Sequence, residues 1–485
     1  MPGYGTREDG TDATSRVNRR KFIAGVGAAG VVGLAGCSGD DGDGGDGGDG
    51  GDGGDGGDGG STDNGEWGDY SGQEVHVVAE APGEGMTQAY DRIAAEFESA
   101  TGATVNMDYT QAGAGTGERV AQLISAGDPP EVIHSTQLEA VKFLNQDVIQ
   151  PIDETYQAVA DGWGDVVETN RLIAGGQDYM VPIYLERGID WRRDDVYEAN
   201  PTSWDEELAE AERVDGAQGL SGFYVGAGND VCNQIQIHSR LRENNASIYV
   251  KENDEIQIGI DDGGQNKQKW IETLEHMDRL HEYSPEAADA TCGSLSNAIP
   301  AGVSSAGWYV GFRPKLISAR QGVDFAENVR PYYPKGDDGM THGQSIGWVQ
   351  ANGAQNPEAA REWMRFAYQP EYWTDFMMSV PVHNIPAFPQ VRDGDAYQQA
   401  LQTFVDENPG HSMDVIQQFF DQTVPKGMNP AIEVEGGNPY AGTLMFGSDI
   451  IARPVQEVLL NDVDPATAVE NVHQTAVDAL EQAKS

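Results

Sequence analysis

Along residues 74–79 (EVHVVA) apolar side chains run almost unbroken, the pattern of a strand covered on both faces. The period then changes. Over 87–99, Tyr90, Ile93, Ala94 and Phe97 recur every three or four positions, which predicts a helix that Thr101-Gly102 ends. A strand is predicted at 104–109 and a helix at 119–126, with Val120, Leu123 and Ile124 inward. Asp128-Pro129-Pro130 breaks that helix before a strand at 131–134. The same signals predict strands at 219–225 and 346–350 and helices at 205–213, 267–283, 357–368 and 463–483. Short strands separated by helices imply βαβ units and a largely parallel sheet, an α/β fold. No short-period repeat occurs in this body, which argues against solenoids and propellers.

At about 150 residues per domain, 485 residues suggest two or three units. Thirty Lys and Arg stand against 79 Asp and Glu, a net charge of −49. Such a chain repels nucleic acids and anionic lipid heads, so neither is its main ligand. No apolar run reaches the roughly 20 residues that span a bilayer. Residues 61–485 alone hold 25 basic and 68 acidic residues, a balance of −43. Self-repulsion of that size calls for screening by salt, so a halophilic source is expected, an archaeon. Most of these carboxylates then form a solvated face.

The first 36 residues read as an address. Arg19-Arg20 precede Lys21-Phe22-Ile23 and a weakly apolar stretch that ends in Leu34-Ala35-Gly36-Cys37. The pattern resembles a twin-arginine export signal closed by a lipobox. It implies export in a folded state, cleavage before Cys37, and a lipid on that sulfur that anchors the protein at the cell surface. Gly25, Gly27 and Gly30 spell a dinucleotide fingerprint, but no strand precedes them, so the match is discarded. Residues 37–70 follow as a linker, with a Gly-Gly-Asp repeat over 39–60 that suits a flexible tether.

From about Gln73 onward, several motifs fall in one order. They are Phe97-Glu98-Ser99-Ala100-Thr101-Gly102, the Ala126-Gly127-Asp128-Pro129-Pro130-Glu131 turn, and Gln150-Pro151-Ile152-Asp153. Tyr179-Met180-Val181-Pro182, Pro201-Thr202-Ser203-Trp204-Asp205-Glu206, the segment 302–308, and Asn356-Pro357-Glu358-Ala359-Ala360 come next. Together they resemble the extracellular solute-binding proteins of ABC importers, in the sugar-binding branch similar to maltose-binding protein. The likeness implies a two-lobe periplasmic-binding-protein-like fold with discontinuous lobes and a hinge. Lobe one would be 71–182 with 341–380, and lobe two 183–340 with 381–485. A ligand would sit between them and draw them together. The implied protein is a monomer with no cofactor and no metal, and its partner is an ABC permease in the same membrane.

Sugar recognition needs aromatic faces for stacking and rigid polar groups for hydroxyls, outside the carboxyl ends of the strands. On those grounds and by the resemblance, the ligand-binding candidates are Glu80, Ser135, Thr136, Gln137, Tyr184, Glu186, Asn229, Asp230, Trp308, Tyr309, Trp348 and Phe446. His383, Asn384 and the glycine-rich loop 113–117 are weaker ones. Glu186 is the favoured acceptor and Trp308 the favoured stacking ring. Bland readings stand beside these: an ion pair with Arg187 for Glu186, helix capping for Ser135 and Thr136, a core site for Trp308. Glu186 with Asp230 could instead be a glycosidase pair. No nucleophile elbow, P-loop or H-E-x-x-H helix is present. Rival ligands are a polyamine, iron or phosphate, and a surface adhesion module is a further alternative. Cys232 and Cys292 remain once Cys37 is lipidated, and export permits either a disulfide or two thiols. Asn245-Ala246-Ser247 is a glycosylation sequon.

Overall fold

A computed structural model describes residues 67–484, apart from 82, 111–114, 254, 286–289, 336–338, 435–436, 439 and 443–449. The export signal, Cys37, the linker repeat and Phe446 lie outside the described residues. β1 (Glu74–Glu80) lies between β2 (Thr104–Thr110) and β3 (Val132–Thr136) and runs parallel to both. α1 (Glu84–Thr101) and α2 (Gly115–Ala126) are the crossovers. α1 buries Met86, Tyr90, Ile93, Ala94 and Phe97 and ends where Gly102, at φ 71°, turns its N–H back to the Glu98 carbonyl. α3 (Gln137–Asn145) starts directly at the end of β3; β4 (Ile149–Gln150) and α4 (Asp153–Trp163) follow.

β5 (Val181–Arg193) is long and buried along almost its whole length. After it come α5 (Trp204–Val214), α6 (Val231–Glu243), α7 (Gln265–His281), α8 (Cys292–Asn297), β6 (Ala306–Val310), α9 (Arg313–Gln321), β7 (Val329–Tyr332) and β8 (Thr341–Ala351). The chain ends through α10 (Pro357–Ala367), α11 (Pro370–Met378), β9 (Ile385–Pro386), α12 (Asp395–Glu407), α13 (Met413–Thr423), β10 (Gly427–Met428), α14 (Arg453–Asn461) and α15 (Pro465–Lys484). The main sheet runs β6–β5–β8–β3–β1–β2, with β7 and β9 also on β5 and β4 and β10 also on β8. Among the described residues no helix is long and apolar enough to cross a membrane.

β5 changes partners midway. Val181–Arg187 pairs antiparallel with β8, and through β8 with the parallel strands. Gly188 to Arg193 pair instead with β6 and β7. One strand therefore belongs to both halves of the molecule, and the change falls at Arg187–Gly188. The hydrophobic cores follow the pleat. Val75, Val77 and Ala79 join Trp191 and Trp308 on one face, and Val78 joins Ile133, Val349 and Trp270 on the other.

The predicted strand at 219–225 does not form. The segment makes one bridge, Ser221 to Ser304, and its other N–H groups find scattered acceptors. Phe223 donates to the Tyr283 carbonyl, Tyr224 to that of Ala306, and Val225 to Ser284 Oγ. Gly222 and Gly226 press so closely on Ala211 and Asn233 that a Cβ would collide. Helix contact therefore replaces ladder pairing. Nearby, Cys232 and Cys292 are disulfide-bonded with Cα atoms 5.1 Å apart, tying α6 to α8.

A sealed ionic cluster joins β5 to three helices. Arg240 donates to Asp190 (2.7 Å), Glu207 (3.2 Å) and Glu243 (2.9 Å), and all four side chains are buried. Tyr332 Oη donates to Glu207 (2.7 Å), His276 Nε2 lies 2.9 Å from Glu207, and Trp204 Nε1 donates to Glu243 (3.0 Å). Burial, then Arg240's charge opposing it, frames each carboxylate. Arg240 and the bonds from His276 and Tyr332 hold Glu207 down to about 2, whereas burial keeps Asp190 well above the carboxylate range.

Candidate functional site

The carboxyl ends of β1 and β3 meet the first turns of α2 and α3, the edge where open parallel sheets take ligands. Thr136 caps α3 by accepting the Glu139 N–H (3.2 Å), and Ser135, also buried, donates to the Thr136 carbonyl (3.1 Å). Gln137 is wholly buried and ties α3 to the carbonyls of Thr169 (3.2 Å) and Arg171 (2.7 Å). These three residues thus build the lip rather than line it. The side chain that reaches the lip is Glu139. Its carboxylate sits against Gly117, where a Cβ would lie 2.5 Å from Oε1, beside the Gly117 N–H and the Ser135 hydroxyl. Burial first, then the nearby charge of Glu80, raises Glu139 to about 7.

The second wall rises where β5 changes partners. Glu186 Oε2 accepts from Gln344 Nε2 on β8 (2.6 Å), and Oε1 lies 3.9 Å from His383 Nε2. The Glu186 side chain keeps 21% of its surface open. Burial raises its pKa; the Gln344 bond and the charges of Arg313 and Arg187 oppose that rise. His383 rests on Gly311, which is at φ 78° and whose N–H donates to the Arg187 carbonyl (2.7 Å). Burial, with Arg313 adding to it, lowers His383 to about 3, so the ring is neutral. Tyr309 is buried, and its hydroxyl meets Arg313 and Ser296. Tyr184 connects the two walls: burial pushes its hydroxyl up, followed by the charges of Glu186 and Glu80. Its ring packs on His134 and Phe376.

Glu80, Tyr184, Glu186 and Tyr309 are therefore brought together, with His383 beside them. Other candidates are not. Trp308 has 0% exposure and its indole covers Gly188. Both faces of β6 are packed, so this ring has no face open for stacking and serves as core. Trp348 is buried among Tyr90, His134 and Trp363. Asp230 caps α6 and accepts the N–H groups of Cys232 (2.9 Å) and Cys292 (3.0 Å), so it braces the disulfide; Asn229 beside it is exposed. Asn384 is buried. Asp230, Cys232 and Cys292 also make a three-ligand cluster, but bonded sulfurs offer no thiolate to a metal.

Sequence reasoning missed Glu139, Arg313 and Gln344. Thr136-x-x-Glu139 has the form of a capping box, so an acid at 139 carries no separate signal of a site. Arg313 had a signal too, as a cation just past a glycine that ends a strand. A polar groove of about 610 Å³ opens at the opposite, amino ends of β1 and β3. Its lining groups bond one another: Arg119 donates to Asp108 (2.6 Å), and Glu131 accepts the N–H groups of His76 (2.8 Å) and Gln355 (3.2 Å).

The family model described as bacterial extracellular solute-binding protein matches residues 83–372. No curated protein sequence matches the chain. Among solved structures, the GacH receptor of Streptomyces glaucescens GLA.O, described unliganded and with acarbose, aligns at TM-score 0.64 and 14% identity, covering 84% of this chain and 98% of that one. Maltose-bound MalE3 of T. maritima aligns at 0.63 and 13%, covering 83% and 98%. A sugar transporter from Arthrobacter chlorophenolicus A6 with bound laminaribiose aligns at 0.65 and 16%, covering 84% and 98%. At such identities the likeness speaks for the fold: two α/β lobes about a hinge.

Proposed function

Because the chain belongs to the bacterial extracellular solute-binding protein family, we propose that it is the receptor of an ABC importer and captures a sugar or oligosaccharide between its lobes. One observation carries the reading. Glu186, Gln344, His383 and Tyr309 converge where β5 changes partners, and Tyr184 feels both Glu186 and Glu80 from the opposite wall. Rigid acceptors and donors on two walls suit a ligand rich in hydroxyls, and the sugars bound by the structural relatives support that class. The chain binds; it does not convert its ligand.

The mechanism is a population shift. A ligand that touches both walls favours the closed arrangement by the free energy of the contacts only that arrangement makes. The lobe division 71–182 with 341–380 against 183–340 with 381–485 is part of this proposal. The change of partner along β5 supports a hinge at Arg187–Gly188. Closure would give an ABC permease one geometry formed by both rims. Export through Arg19-Arg20 and a lipid on Cys37 would hold the monomer at the membrane surface, with 37–70 as its leash and halophilic salt as its screen.

Isothermal titration against saccharides, polyamines, iron and inorganic phosphate tests the reading, with X-ray scattering to follow closure. A saccharide is expected to bind one to one and to reduce the radius of gyration. Binding confined to polyamine, iron or phosphate, or release of product from an oligosaccharide, overturns it.

A further inference from the structure

Unlike Arg320 and Arg453, which are also exposed with no carboxylate within 4 Å among the described residues, Arg313 lies at the Glu186 wall, where its charge acts on Glu186 and His383. It is exposed, and among the described residues no carboxylate lies within 4 Å of it, in a chain where acids outnumber bases by more than two to one. Arg92, Arg119, Arg171, Arg192, Arg193 and Arg240 each have an acidic partner inside that distance. Its position is fixed by the backbone. Gly311, bonded to the Arg187 carbonyl and covered by His383, ends β6, and α9 begins two residues later with Arg313 and Pro314. His383 reaches to 3.9 Å from Glu186, so the guanidinium projects from the same wall as the Glu186–Gln344 pair. In the first turn of α9, Pro314 has no N–H and the Lys315 and Leu316 N–H groups bond the Phe312 carbonyl (both 3.1 Å), so the guanidinium is the donor this corner offers. A solvent-open guanidinium with no carboxylate within 4 Å is the chemistry of oxyanion recognition.

We propose that Arg313 selects the ligand's charge: the saccharide carries an oxyanion, a uronate carboxylate or a sulfate ester, that pairs with Arg313 while its hydroxyls meet Glu186 and the opposite wall. This rests on the sugar-receptor reading and narrows it. The chain's −49 charge repels anions at long range, but in molar salt the Debye length is about 3 Å and only the local cation counts.

The test uses the full chain in molar KCl. Calorimetry compares pectin and alginate oligosaccharides, the same oligosaccharides with every carboxylate reduced to CH2OH, and sulfated galactan oligosaccharides. At least one acidic set is expected to bind more tightly than its neutral counterpart; which one wins separates carboxylate from sulfate. Arg313→Gln should weaken that binding roughly ten- to hundredfold, the scale of one charge-assisted hydrogen bond, and change neutral-sugar binding less than about twofold. Arg320→Gln makes the same charge change at the far end of α9 and should leave both affinities unaltered. Neutral saccharides that bind as well as or better than acidic ones overturn the inference and leave the sugar reading standing. Failure of every saccharide overturns both.

Discussion

Glu186 and Asp190 sit four residues apart on one strand, and each lies near an arginine, yet their surroundings differ in kind. Around Asp190 the bonding is dense, with only Asp190 Oδ2 left without a partner in the cluster: Arg240 reaches three carboxylates, and Glu207 and Glu243 take further bonds from Tyr332, His276 and Trp204. Around Glu186 the bonding stops short. One oxygen holds Gln344, the other is 3.9 Å from a neutral histidine, and Arg313 stands open to solvent. Saturated, sealed charge specifies how elements pack. Unsaturated charge where β5 changes partners has capacity left for a ligand.

The largest expected effect tests the sealed side. Arg240→Ala strands three buried carboxylates and should cost about 3–5 kcal/mol in urea unfolding. Retention of wild-type stability would mean the cluster is not a structural unit. Trp308→Ala follows, at about 3 kcal/mol of stability from cavity formation. A selective loss of sugar affinity with unchanged stability would return Trp308 to the site. On the open side the effects should appear in binding. Glu186→Gln should weaken the ligand by about 1.5–3 kcal/mol, the value of a hydrogen bond to a charged group, with unfolding little changed.

The smallest effects sharpen the contrast through pH. Burial lowers His276 to about 4, against Glu207's pull, so the unfolded chain takes the proton first. Its contribution to stability is complete above about pH 6.5 and is lost as pH falls toward 4. Glu139, raised to about 7, has the opposite sign: its contribution is complete below about 4.5 and is lost as pH rises through 7. His276→Gln should flatten the acid-side slope and Glu139→Gln the neutral-side slope, each by at most about 1.4 kcal/mol per pH unit. Slopes unchanged in both variants would show that neither group titrates between the folded and unfolded states.

Several elements were legible because local periodicity is enough to define them. Tyr90, Ile93, Ala94 and Phe97 fall on the buried face of α1, and the strand read at 74–79 is β1 but for its last residue. The segment 219–225 was misread because Gly222 within it, and Gly226 just after it, serve contact with α5 and α6, a relation that no local pattern carries. Glu186 was found through family likeness, not spacing. Trp308 was favoured as a stacking ring by family likeness, which does not say whether both faces of its strand are covered, and here both are.

What the sequence by itself determined is the α/β order, the excess of acidic residues and the family likeness, all of which reside in neighbouring residues. Only the tertiary structure decided which charges end up saturated. Glu186 and Gln344 are 158 residues apart and Arg240 and Asp190 are 50 apart, so whether a carboxylate is sealed or left open depends on which distant donors the folded sheet and helices bring within about 3 Å.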